Sequence, residues 1–92
     1  MSGEVAVEVR VRGRVQGVGF RAWTQAEAGA RGLAGWVRNE PDGSVQALIS
    51  GPGERVADMV SALHRGPPLA RVDHVETRPA MPPDAGGFDV LR

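Results

Sequence analysis

The chain contains no cysteine, no lysine and no tyrosine. Without cysteine, the protein has no disulfide, no thiolate metal site and no cysteine nucleophile. Without lysine, Schiff-base chemistry and a lysine general base are excluded as well. Basic and acidic residues balance at 11 each, and every basic residue is an arginine. This balance argues against the broad basic surface that nucleic-acid binding requires.

Long hydrophobic runs are also missing. No segment approaches the roughly 18 apolar residues of a membrane span, and no charged and then apolar leader opens the chain. With 92 residues, one domain over residues 1–92 is expected. The lack of cysteine fits a reducing compartment. We therefore expect a soluble, cytoplasmic protein without a membrane partner.

The first half of the chain shows two kinds of periodicity. Valines at every second position predict a strand over Val5–Arg12, and a glycine-rich loop follows at Gly13–Gly19. Helical spacing and alanines then predict a helix from Phe20 to about Arg31. Leu33–Asn39 and Ser44–Ser50 are typical of strands. The Pro-Asp-Gly turn between them predicts an antiparallel hairpin.

The second half predicts one further helix and two strands. An apolar stripe with helical spacing runs from Val56 to Leu63, and Gly66 ends that helix. Val72 and Val75 indicate a fourth strand whose imperfect alternation is typical of a bulge. A loop rich in proline and glycine precedes a short final strand at Phe88–Leu91. The order βαββαβ predicts an α+β, ferredoxin-like split βαβ sandwich, with two helices on one face of an antiparallel sheet.

The loop GRVQGVGFR, at Gly13–Arg21, has two interpretations. Its glycines permit a tight reversal, which is the simpler one. Alternatively, its amides and the first N–H groups of the following helix form an anion cradle. Arg21 favours the second, because a cation in the first turn of a helix is disfavoured unless an anion binds there. Arg14 either adds positive charge to this loop or is a solvated loop arginine, which is the simpler interpretation.

The second segment of interest is GWVRN, which ends at Asn39. Asn39 lies where a strand enters its turn, so it either caps the turn or orients a water or substrate oxygen. In a regular strand, Trp36 and Arg38 face the opposite side. On the outer face of the first strand, Arg10 and Arg12 are expected to be solvated, and Asp42 is a turn residue.

The histidines and serines offer no other obvious chemistry. His64 and His74 lack the spacing of a zinc site, so no metal is predicted. The serines lack a nucleophile motif such as GxSxG. No cofactor is predicted.

The segments GRVQGVGFR, GLAGWVRN, DGSVQ, GPPLARV and FDVLR together strongly resemble the acylphosphatases, in order and over nearly the whole chain. The resemblance implies a hydrolase that cleaves acyl phosphates to a carboxylate and inorganic phosphate. It implies that Arg21 binds the phosphate and that Asn39 orients the attacking water. It also implies that backbone amides form the phosphate cradle, from the residues Val15, Gln16, Gly17, Val18, Gly19 and Phe20.

Two other functions compete with this one. Related domains occur in larger carbamoyl-transfer maturation proteins, so an anion-binding module that is non-catalytic or handles carbamoyl phosphate is the alternative. Ferredoxin-like sheets also bind single-stranded RNA, but they do so with exposed aromatics on the central strands. The first strand here carries valines, a glutamate and arginines instead. We therefore expect a small-molecule acyl phosphate as partner, no nucleic acid, and a monomer.

Overall fold

A computed structural model describes residues 3–92. Within this range the chain forms five strands and two helices. In chain order they are β1 (Glu4–Arg14), α1 (Phe20–Ala30), β2 (Ala34–Asn39), β3 (Val45–Pro52), α2 (Gly53–Arg65), β4 (Arg71–Pro79) and β5 (Phe88–Val90). In the described residues, neither helix is long and apolar enough to span a bilayer.

The strands form one sheet in the order β4-β1-β3-β2-β5. β1 lies between β3 and β4 and is antiparallel to both, and β2 forms the predicted antiparallel hairpin with β3. β5 instead runs parallel to β2. The ferredoxin-like fold is thus confirmed, but the sheet is mixed rather than wholly antiparallel. The reason is that the segment after β4 crosses to the far edge of the sheet and reverses the chain direction.

Local sequence signals account for the ends of the elements. Gly32 adopts a φ of 65°, and the N–H of Leu33 donates to the Ala28 carbonyl at 3.0 Å, which terminates α1 in a Schellman motif. The expected bulge lies opposite the Arg12–Gly13 step of β1, where the pairing with β4 skips one residue of β4. The glycine at this step approaches the β4 backbone closely.

The core lies between the sheet and the two helices. Each helix contacts the sheet and the other helix, so both pack on one face. The inward residues of the central strands and of both helices are almost fully buried. They include Val9, Val11, Val37, Val45, Ile49, Phe20, Ala28, Val56, Met59 and Leu63. This packing fixes the three central strands and the start of α1, which carry the residues of interest.

Candidate active site

The topology brings the glycine loop and Asn39 to the same end of the sheet. β1 and β2 are each antiparallel to β3, so they run in the same direction. Val11, Val45 and Asn39 occupy one cross-strand row. The loop that leaves β1 and the turn that leaves β2 therefore emerge side by side. This convergence depends only on strand order and register.

A cavity of about 400 Å³ lies at this end of the molecule. It is lined by residues of the loop, the start of α1, the end of β2 and the C-terminal segment, namely Val15, Gly17, Gly19, Phe20, Arg21, Ala22, Asn39, Val90 and Arg92. Arg21 and Asn39 thus share one cavity. Sequence reasoning missed Ala22, Val90 and Arg92, since only the parallel placement of β5 beside β2 brings the last two here.

Two glycines of the loop have a left-handed backbone conformation. Gly17 and Gly19 have φ angles of 74° and 77°, in the left-handed region that L-residues avoid. A Cβ atom at either position would meet nothing within 4 Å. Glycine is therefore favoured by backbone conformation and not by lack of space.

The first backbone N–H groups of α1 have few hydrogen-bond acceptors nearby. The Trp23 N–H donates to the Gly19 carbonyl at 3.0 Å, and Gly19 is the N-cap residue that directly precedes the helix. No side chain caps this end in the described structure, and no acidic residue lies in the first turn. The first N–H groups of a helix have no intrahelical partner and carry partial positive charge. They favour an anion beside Arg21.

Arg21 is held at the cavity by the C-terminal segment. Its side chain is half-buried, and Nη1 donates to the Leu91 carbonyl at 3.2 Å. It takes part in no ion pair among residues 3–92. A guanidinium oriented by a neutral carbonyl keeps its full charge and further donors for a ligand.

Asn39 has a different environment. Its Oδ1 atom is buried and has no hydrogen-bond partner within the described part of the chain. An unsatisfied buried acceptor costs about 1–3 kcal/mol, so this oxygen is available to accept a hydrogen bond from a molecule in the cavity. A water molecule or a substrate hydroxyl would satisfy it.

Two predicted cradle residues direct their side chains away from the cavity lining. Val18 packs against the hydrophobic core. Gln16 donates from Nε2 to the carbonyls of Glu40 and Ser44, at 2.8 and 2.9 Å. Any contribution of these two residues to anion binding is therefore through their backbone.

The turn after Asn39 is itself stabilised. The Ser44 hydroxyl and backbone N–H donate to Oδ1 of Asp42 at 2.6 and 2.9 Å, and these bonds lower the pKa of the Asp42 carboxyl to about 2. Arg12 adds an ion pair at 3.2 Å, and Arg10 another at 3.4 Å. Arg12 is exposed, as expected, whereas Arg10 is half-buried. Both arginines also form ion pairs that the sequence did not predict, because the register places them next to the hairpin turn.

The outer face of β2 carries Trp36 and Arg38 of GWVRN. The Arg38 guanidinium lies over the Trp36 ring at 4.7 Å from its centroid, and Val37 between them is fully buried against the helices. Trp36 and Arg38 thus face away from Asn39, as the alternation predicts. No group of three or more His, Cys, Asp or Glu side chains within residues 3–92 could hold a metal ion.

Sequence relatives and solved structures that match this chain over most of its length include several acylphosphatases. The chain is 58% identical over 76 residues to an acylphosphatase of Nitrobacter hamburgensis, covering 83% of this chain and 77% of the relative. It is 49% identical over 87 residues to one of Thermococcus kodakarensis, covering 95% and 96%. A solved acylphosphatase structure from Coxiella burnetii superimposes with a TM-score of 0.91 at 33% identity, covering 96% of this chain and 93% of the other.

The family model described as Acylphosphatase matches residues 7–90, which include β1 from Val7 onward, the loop, both helices and all later strands. This chain belongs to the acylphosphatase family.

Proposed function

We propose that this protein hydrolyses the carboxyl–phosphate anhydride bond of acyl phosphates and releases a carboxylate and inorganic phosphate. Family membership supports this reaction class. The observation that carries the proposal for the site is the shared cavity. Within residues 3–92, it joins a guanidinium that forms no ion pair, a helix start without a side-chain cap and a carboxamide oxygen without a hydrogen-bond partner.

In this mechanism the phosphoryl group binds at the loop. Arg21 donates to its oxygens, and the backbone N–H groups of residues 15–20 surround it. Phosphoryl transfer passes through a loose transition state, so the protein mainly positions the group and stabilises charge on its equatorial oxygens. A guanidinium and a ring of amides meet that requirement.

Asn39 orients the attacking water. Its Oδ1 accepts a hydrogen bond from the water, whose oxygen forms a bond to phosphorus as the bond to the acyl oxygen breaks. The carboxylate departs with the electron pair, and because its conjugate acid has a pKa of about 4, no general acid is needed. As a hypothesis, a phosphate oxygen of the substrate receives the proton of the water.

The test is hydrolysis of benzoyl phosphate by the purified protein in EDTA, with carbamoyl phosphate assayed in parallel. Loss of one preorganised donor typically lowers kcat by about 10²–10³, so Arg21→Ala should lose at least that much in kcat/KM. Arg14→Ala is the matched control, because Arg14 is exposed and lies outside the cavity lining. Arg21→Ala with the activity of the control would refute the phosphate-binding role.

The proposed role of Asn39 is tested with a separate variant. Asn39→Ala should lower kcat more than it changes KM, since water orientation acts on the reaction and not on uniform substrate binding. A variant with unchanged kcat would contradict it. We propose that the protein acts as a monomer, which sedimentation velocity can check.

A further inference from the structure

The side chain of Gln16 connects the glycine loop to the turn that follows Asn39. Its Nε2 donates to the Glu40 carbonyl at 2.8 Å and to the Ser44 carbonyl at 2.9 Å. These contacts span 24 and 28 positions of the chain. A primary amide nitrogen has two hydrogens, so both of its donors are used in these bonds.

The two carbonyls that Gln16 contacts are also the ones that close the turn. The Glu40 N–H donates to the Ser44 carbonyl at 2.9 Å, and the Gly43 N–H donates to the Glu40 carbonyl at 3.1 Å. Each carbonyl therefore accepts one bond from within the turn and one from Gln16. The single amide group fixes the loop against the turn at two points, which defines orientation as well as distance.

Asn39 is adjacent to this connection. It directly precedes Glu40, whose carbonyl is bound to the loop, while its own side chain lines the cavity without a partner at Oδ1. No bond in the described residues holds that carboxamide oxygen. The position of the Asn39 side chain relative to the loop therefore depends on its backbone. The pairing of Asn39 with Val45 holds this backbone in the sheet, and the Gln16 bonds to the adjacent turn connect it to the loop.

We infer that Gln16 is a positioning residue, which holds Asn39 at the correct distance and angle from the anion cradle. This inference rests on the proposed function of Asn39. Reactions of this type depend on alignment, and a misplacement of about 1 Å can cost as much as 100-fold in rate. Gln16 acts through Asn39 and its turn, and its side chain does not contact the substrate.

Gln16→Met tests this role. Methionine has a similar length but no donor, and the substitution leaves the backbone N–H of residue 16 in place. Gln25→Met is the matched control, because the Gln25 side chain also donates to a backbone carbonyl, that of Phe88 at 2.9 Å, and neither residue lines the cavity. Gln16→Asn, which keeps the carboxamide but is one methylene too short to retain both bonds, provides a second variant.

The expected result is a fall in kcat on benzoyl phosphate of about 10- to 100-fold for Gln16→Met, with the inhibition constant of inorganic phosphate changed less than about 3-fold. In an Asn39→Ala background, the same substitution should lower kcat further by less than about 2-fold, since residues that act as a unit are not additive. Gln16→Asn should fall between Gln16→Met and the parent protein.

A readout independent of turnover separates this inference from the proposed function. In the free protein, the side-chain amide NMR resonances of Asn39 should shift in Gln16→Met and Gln16→Asn but not in Gln25→Met. Unmoved resonances, or a loss of kcat that is equal with and without Asn39, would overturn the positioning role. If the parent protein hydrolyses no acyl phosphate, the proposed function fails, whereas an active parent with an unaffected Gln16→Met refutes only the inference.

Discussion

Replacement of Gly17 by alanine provides a quantitative test of the loop conformation. Gly17 has a φ of 74°, and a Cβ atom there would meet nothing within 4 Å. The cost of Gly17→Ala is therefore conformational and not steric. An L-residue in the left-handed region costs roughly 1–2 kcal/mol. Alanine also makes the unfolded chain less flexible, which stabilises the folded protein and offsets part of this conformational cost. We therefore expect a net cost of about 1 kcal/mol.

This cost can appear in two places. If the free loop keeps its conformation, the free energy of unfolding falls by about 1 kcal/mol, which lowers the Tm by about 4–8 °C for a domain of this size. If the free loop relaxes instead, stability is retained, but phosphate binding must restore the left-handed conformation. The phosphate Kd then rises about 5-fold. In either case the phosphate-saturated variant is less stable than the phosphate-saturated parent.

The assay is thermal unfolding with and without saturating inorganic phosphate, together with a phosphate titration. Gly29→Ala is a control that should raise the stability instead of lowering it. Gly29 lies within α1, and a Cβ atom there would also meet nothing within 4 Å. Alanine in a helix is favoured over glycine by about 1 kcal/mol, so this variant should become more stable with phosphate binding unchanged. A Gly17→Ala protein with the parent's midpoint in saturating phosphate would show that the loop does not bind phosphate in this conformation.

Two further predictions concern the hairpin. The folded-state pKa of Asp42 is lowered to about 2 by Ser44 and Arg12, below its ordinary value of about 3.9, so the carboxylate stabilises the fold above about pH 4 and this contribution is lost as the pH falls towards 2. Between pH 5 and pH 2.5, the free energy of urea unfolding should fall less for Asp42→Asn than for the parent. An equal fall in both proteins would contradict the stabilising role of the Asp42 carboxylate. Gly35→Ala should destabilise the protein by roughly 3 kcal/mol or more, because its Cβ would overlap the Leu48 carbonyl oxygen in the β2–β3 pairing. Denaturant unfolding measures this, and a loss under about 1 kcal/mol would show that the strands can separate to admit a methyl group.

Much of the fold follows from periodicity. Alternating valines define β1, and the stripe from Val56 to Leu63 defines the buried side of α2. The sequence also predicts that β1 and β2 end at the same side of the sheet, because the connection rules allow few arrangements of a βαβ unit followed by a hairpin. The proximity of Arg21 to Asn39 could therefore be predicted from the chain alone. Their roles are still predictions.

Contacts that depend on exact turn geometry could not be predicted. The Gln16 side chain reaches the turn only because Asp42 and Ser44 shape it, and nothing in the local sequence around Gln16 encodes that distance. The parallel direction of β5 was missed for a related reason. A three-residue strand after a segment rich in proline and glycine carries no signal of direction, which is set by its pairing with β2.

The position of β1 in the sheet has a consequence for folding kinetics. Val9 pairs with Ala47 on one side and with Thr77 on the other, so the strand that carries the loop acquires its neighbours only when distant parts of the chain meet. Such non-local topologies fold slowly compared with helical bundles, because the chain loses entropy when distant segments meet, before their favourable contacts have formed. On the ribosome, this end of the molecule can therefore assemble only after β3 has left the exit tunnel, because β1 and β2 both pair with it.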